Sequence, residues 1–139
     1  MRRVFIDTSA YVALTDRSDQ FHQAATDKLK LLLTSKLPHV TTNYILAESY
    51  TRIRRKLGYP AIVLFGEGIR KIIATRQLEI VYADAALDEA AWDILKQYQD
   101  QPFSFIDCTS FAWLRQNKEV EVFAFDEHFV WMGFTAFEG

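Results

Sequence analysis

Short apolar runs alternate with longer amphipathic stretches along this chain. Val4-Phe5-Ile6 is an apolar run that stops at Asp7, the pattern of a short buried strand. Asp7-Thr8-Ser9 then offers capping chemistry for a helix from about Ser9. Residues from about Asp19 to Leu33 read as a second helix. Val40-Thr41-Thr42 suits a strand, and Asn43 can cap a helix over 44–57 that stops before Gly58. In that helix the spacing predicts a core stripe of Leu46, Tyr50, Ile53 and Leu57. Pro60 fits the first turn of another helix, running to about Thr75. Leu78 to Tyr82 reads as a third strand, and Asp84 or Asp88 can start a helix over 87–99. Ser104 can cap a helix running to about Asn117. Val120 to Phe125 is apolar nearly throughout and predicts a strand ending at Asp126. A helical turn over 127–132 follows, and Gly133 leads into a last extended stretch, 134–137.

Short apolar strands alternating with helices predict a parallel α/β sheet covered on both faces. Ligands of such sheets bind outside the carboxyl ends of the strands. Asp7 and Asp126 each stand at such an end. No repeat, low-complexity tract or Pro/Gly/Ser linker interrupts the chain, so one domain over 1–139 is the simplest organisation.

Composition narrows the function classes. The chain has 139 residues, half of them hydrophobic, enough for a real core. Eleven Phe, six Tyr and three Trp belong mostly to core or interface. The net charge of -2 makes the whole chain no electrostatic magnet for nucleic acid, so any basic surface is local. A single cysteine, Cys108, excludes an intramolecular disulfide and a cysteine-based zinc site, and fits a reducing cytoplasm. The N-terminus lacks the long apolar region and cleavage site of a signal peptide, and no stretch is long enough to span a bilayer. A soluble cytoplasmic protein, with no membrane partner, is the expectation.

Four acids then stand out. Asp7 is equally well placed as a helix cap and as a site residue. Asp126 repeats the arrangement near the other end of the chain; if the two strands are neighbours, the carboxylates converge, and like charges repel unless a cation or proton intervenes. Asp107 lies three residues after Ser104, near capping-box spacing. It also heads the apolar face of Phe111 and Leu114, and an inward carboxylate needs a partner or a metal. Glu48 lies off the core stripe on the face of Arg52 and Arg55, where an ordinary i, i+4 pair on a solvated face explains it as well. Acids without a Cys or His cluster suit a hard cation, Mg²⁺ or Mn²⁺. Arg52 and Arg55 are candidate phosphate contacts, whereas Arg54 points elsewhere into solvent. His128, two residues after Asp126, offers a proton shuttle or a ligand, but with no second His nearby to form a ligand pair it reads first as structural or as a local hydrogen-bonding partner. Cys108 reads as a small buried residue.

These residues resemble the PIN-domain ribonucleases, in particular the VapC-type toxins of prokaryotic toxin–antitoxin systems. The resemblance runs through Asp7-Thr8-Ser9, the Ile-Leu-Ala-Glu that ends at Glu48, Phe105-Ile106-Asp107-Cys108-Thr109-Ser110-Phe111-Ala112, Phe125-Asp126-Glu127-His128-Phe129 and Gly133-Phe134. It implies a three-layer α/β/α fold around a central, mostly parallel sheet of four to five short strands. It also implies a Mg²⁺ or Mn²⁺ site made of Asp7, Glu48, Asp107 and Asp126, with Thr8 and Ser9 supporting the first acid by hydrogen bonds. The implied activity is endonucleolytic cleavage of transfer, ribosomal or messenger RNA. A cognate antitoxin and a homodimer are the implied partners. The alternative is a catalytically silent PIN-like module that binds RNA or protein, which is expected to have lost an acid. Haloacid-dehalogenase-type phosphatases need a second Asp where Ser9 stands, and receiver domains need an adjacent acidic pair that is absent.

Overall fold

The computed structural model describes residues 2–138. Its elements in chain order are β1 (Arg3–Ile6), α1 (Thr8–Thr15), α2 (His22–Thr34), β2 (His39–Thr42), α3 (Asn43–Leu57), α4 (Tyr59–Ala74), β3 (Leu78–Val81), α5 (Ala85–Gln97), α6 (Phe105–Gln116), β4 (Val120–Phe123) and α7 (His128–Trp131). The four strands form one parallel sheet in the order β3-β2-β1-β4, flanked by the helices. This is the α/β/α arrangement expected from the alternation of short apolar runs with amphipathic stretches.

β1 sits inside the sheet, and Val4, Phe5 and Ile6 are buried. A strand buried on both faces needs apolar residues at every position. The core around it is aromatic: Phe5 stacks on Trp113 at 5.5 Å, and Phe111 meets Phe129 edge-on at 5.2 Å. Phe123 and Phe137 are also fully buried.

β4 pairs with β1 from Arg3↔Val120 to Ile6↔Phe123. It ends at Phe123, two residues before the predicted Phe125, because β1 ends there too. Beyond it the Phe125 amide donates to Ser9 Oγ at 2.9 Å instead of to a neighbouring strand. The last extended stretch makes a single parallel bridge, Val122↔Ala136, which seats Phe137 in the core.

Three local expectations are corrected. Thr42, not Asn43, caps α3: its hydroxyl accepts from the Ile45 amide at 3.1 Å, while Asn43 Oδ1 accepts from the Ala83 amide at 2.9 Å. α2 starts at His22 rather than near Asp19, since Asp19 Oδ1 accepts from the Phe21 amide at 2.8 Å and makes a turn of its own. The buried positions of α3 are Ile45, Leu46, Ser49 and Ile53; Tyr50 is half-buried and Leu57 exposed, so the stripe is rotated from the one predicted.

α3 is held against α1 at its far end. Lys56 Nζ lies 2.7 Å from Asp16 Oδ2, and Asp16 Oδ1 accepts from both the hydroxyl and the amide of Ser18, at 2.7 and 3.0 Å. The Lys56 ammonium, then the Ser18 donors, hold the buried Asp16 carboxyl down at about 2. A depressed carboxyl stabilises the fold above its ordinary value near 4 and loses that effect as pH falls through about 2. Asp16→Asn is therefore expected to lower the melting temperature at pH 7 and to converge with the wild type near pH 2. Thermal melts of both proteins across that range check this.

Candidate active site

Parallel pairing decides the geometry of the site. Because β1 and β4 are neighbours in register, the chain leaves both at one edge, and the Asp7 amide still donates to the Phe123 carbonyl at 3.1 Å. Asp7 caps α1 and is buried, with Oδ2 accepting from the Ser9 amide at 3.1 Å and the Ser9 hydroxyl at 2.8 Å. The same hydroxyl oxygen accepts from the Phe125 amide. Ser9 thus joins the end of β1 to the end of β4. Thr8 departs from its expected role: its hydroxyl faces the Ile45 carbonyl of α3 at 3.5 Å rather than Asp7.

Asp107 is in the first turn of α6. Ser104 Oγ accepts from the Asp107 amide at 3.0 Å, and Asp107 Oδ2 accepts from the Ser104 amide at 3.1 Å, a complete capping box. Phe111 and Leu114 behind it are buried. Cap and inward-facing acid are therefore one arrangement, not alternatives. Asp126 Oδ1 accepts from the His128 amide at 2.9 Å. Asp107, Asp126 and His128 bring one potential ligand atom each within 4.8 Å of one another, forming the cluster of potential metal ligands among the described residues.

His128 carries more than its place in the sequence suggests. Its Nδ1 lies 3.1 Å from Asp126 Oδ1 and 3.7 Å from Asp107 Oδ2, yet it is a buried nitrogen without a well-aligned hydrogen-bond partner. The signal available in the sequence is the two-residue spacing from Asp126. Phe103 packs edge-on against the ring at 5.0 Å.

The charges are in tension. Burial pushes the Asp7 carboxyl up to about 6; the Ser9 bonds oppose this, and the nearby Asp107 and Asp126 add to it. Burial, aided by Asp126, also raises Asp107, against the Ser104 amide and His128. Cys108 is buried as expected, and burial raises its thiol to about 11.

Asp7, which feels the charges of Asp107 and Asp126, lies outside the 4.8 Å cluster, and so does Glu48. Glu48 lines a groove of about 660 Å³ with Tyr44, Arg52, Arg55, Phe105 and Ile106. Glu48 and the two arginines share a face, and that face opens towards the start of α6, where Asp107 lies. Arg54 turns away, with its guanidinium over the Tyr59 ring at 5.4 Å.

The chain belongs to the PIN-domain family, as a ribonuclease of the VapC type: the PIN domain matches residues 4–134. It is 38% identical over 133 residues to the 23S rRNA-specific endonuclease VapC20 of Mycobacterium tuberculosis, known from two strains, with 95% of each chain covered. The crystal structure of Mycobacterium tuberculosis VapC20, a sarcin-ricin loop cleaving toxin, matches with a TM-score of 0.81 and 32% identity. That match covers 98% of this chain and 99% of the other.

PIN nucleases use a divalent metal, and the donor set here fits one. Carboxylates dominate, one imidazole nitrogen is left without a partner, and the acids raise one another's affinity for a positive charge.

The raised Asp7 carboxyl has a measurable consequence. Such a group leaves the fold unaffected at low pH and destabilises it as pH climbs from about 4 through about 6. A carboxyl moved from near 4 to about 6 corresponds to on the order of 2–3 kcal/mol. Asp7→Asn in metal-free protein is expected to match the wild type near pH 4 and to exceed its stability by roughly that amount at pH 7. Denaturant unfolding of both proteins in chelator, at the two pH values, checks this; a less stable Asn variant at pH 7 contradicts it.

Proposed function

We propose that this protein is the toxin of a toxin–antitoxin pair, a Mg²⁺- or Mn²⁺-dependent endoribonuclease that hydrolyses phosphodiester bonds in ribosomal RNA. The observation that carries this reading is the cluster of Asp107, Asp126 and His128 close to the buried Asp7, which feels the charge of both acids at the edge where β1 and β4 end. Among the RNA classes implied by the sequence, ribosomal RNA is favoured by the 38% identity, over 95% of the chain, to a 23S rRNA-specific endonuclease. One PIN domain over 1–139 carries the activity, in the cytoplasm, as a homodimer blocked by a cognate antitoxin. No helix among the described residues is long and apolar enough to cross a membrane.

In this reading Asp7, Glu48, Asp107 and Asp126 hold the cation. When bound, it offsets charge on the phosphodiester and lowers the pKa of a water molecule. Ser9 and Ser104 fix the carboxylates of Asp7 and Asp107 from behind. His128 turns a single nitrogen, Nδ1, towards both the Asp126 and the Asp107 carboxylates. Arg52 and Arg55, exposed on the wall of the Glu48 groove, meet backbone phosphates of the RNA strand. All four acids being present disfavours the silent-module alternative.

Purified, antitoxin-free protein is expected to cleave 23S rRNA in Mn²⁺ and to stop in chelator. Asp7→Asn and Asp107→Asn are each expected to lose about a thousandfold in rate, as fits the loss of several kcal/mol of charge stabilisation. Gel analysis of end-labelled RNA reads both; an Asp107→Asn variant with full activity overturns the site. Arg52→Ala is expected to raise KM and flatten its dependence on salt while leaving kcat nearly unchanged.

A further inference from the structure

Several large apolar side chains remain exposed, among them Phe21, Tyr59, Leu64, Tyr82, Trp92 and Trp131. Trp131 differs in its position. It lies on α7, three residues after His128, so the two side chains share one face of a single turn. Trp131 is 57% exposed.

Its orientation is fixed from below. Trp131 meets Tyr98 at 5.9 Å and 78°, and Phe103 at 5.9 Å and 63°. Phe103 in turn meets His128 at 5.0 Å and the buried Phe111 at 5.0 Å. The rings form one braced array from the core, past the acidic cluster, to the surface. Both of these contacts of Trp131 are edge-to-face, and neither ring lies parallel to the indole. A cation stands beside the array: the exposed Arg115 donates through Nη2 to the Tyr98 hydroxyl at 3.3 Å.

We propose that Trp131 is a nucleobase-stacking platform, which seats an unpaired RNA base one helical turn from the acidic cluster, with Arg115 against the adjoining backbone phosphate. The inference rests on the reading of the site as an RNA-cleaving centre. An aromatic ring and a cation side by side suit single-stranded RNA, because every base has a face to stack and every linkage a charge. Pre-bracing by Tyr98 and Phe103 means that little side-chain freedom is lost when a base arrives. The array is continuous with the site, which sets this ring apart from the exposed apolar residues of α4.

The test uses the full chain and a synthetic loop fragment of 23S rRNA. Trp131→Ala is expected to raise KM about 5- to 100-fold, the usual range for one stacked base, with kcat within about threefold. Trp131→Phe, which keeps an aromatic face, is expected to recover most of the loss. Binding is read separately in the uncleaving Asp107→Asn background by quenching of tryptophan fluorescence. Adding Trp131→Phe there is expected to abolish the quenching although Trp92 and Trp113 remain. An unchanged KM in Trp131→Ala overturns the platform. So does a variant whose only defect is weakened self-association or antitoxin binding, which would make the ring a protein-contact residue. If the wild type cleaves no RNA, the enzymatic reading fails, while the quenching measurement still decides whether a base stacks on Trp131.

Discussion

Carboxylates repel, and this fold gathers Asp107 and Asp126 into one cluster with Asp7 near enough to feel the charge of both. Much of the surrounding structure holds them there. Each acid accepts a backbone amide from two or three residues away: Ser9 for Asp7, Ser104 for Asp107 and His128 for Asp126. These bonds are local, so each carboxylate is oriented by its own turn before the turns are assembled. Ser9 adds the long-range tie, donating to Asp7 and accepting from Phe125 across the strand ends. Burial first, and then the charge of the neighbouring acids, raises the carboxyls of Asp7 and Asp107.

The rest of the fold makes that edge possible. From Val4 to Ile6 β1 is buried and apolar, so the first acid stands where the strand stops. Parallel pairing with β4 then places the second acid beside the first. α6 reaches the same place through its N-terminus, whose free amides favour an acid. α3 brings Glu48, Arg52 and Arg55 to the neighbouring groove, and the Lys56–Asp16 pair anchors its far end to α1. The groove thus carries two arginines in a chain whose net charge is -2.

The parts legible in the sequence are those set by short-range rules. β1 and β4 are readable from apolar runs cut off by an acid, and the Ser104 cap from its spacing to Asp107. What needs three dimensions is adjacency. Nothing in the sequence alone pairs β1 with β4 rather than with another strand, and the convergence of Asp7 with Asp126 depends on it. Thr42 and Asn43 exchange their expected roles because Asn43 is drawn to the Ala83 amide, forty residues away. For His128 the sequence leaves ligand and structural roles both open, because its 3.7 Å approach to Asp107 is a contact between distant segments. Glu48 stays the acid least determined by geometry; it shares a groove with Arg52 and Arg55 but not the tight cluster.

The central claim is that this convergence of acids exists to hold a divalent cation. A crystal structure of the protein soaked in Mn²⁺, with anomalous scattering recorded at the manganese edge, tests it most directly. The prediction is an anomalous peak bounded by the carboxylates of Asp7, Asp107 and Asp126, with each side chain still held by its own turn. No peak at that edge of the sheet under saturating Mn²⁺, or carboxylates turned apart, would contradict it.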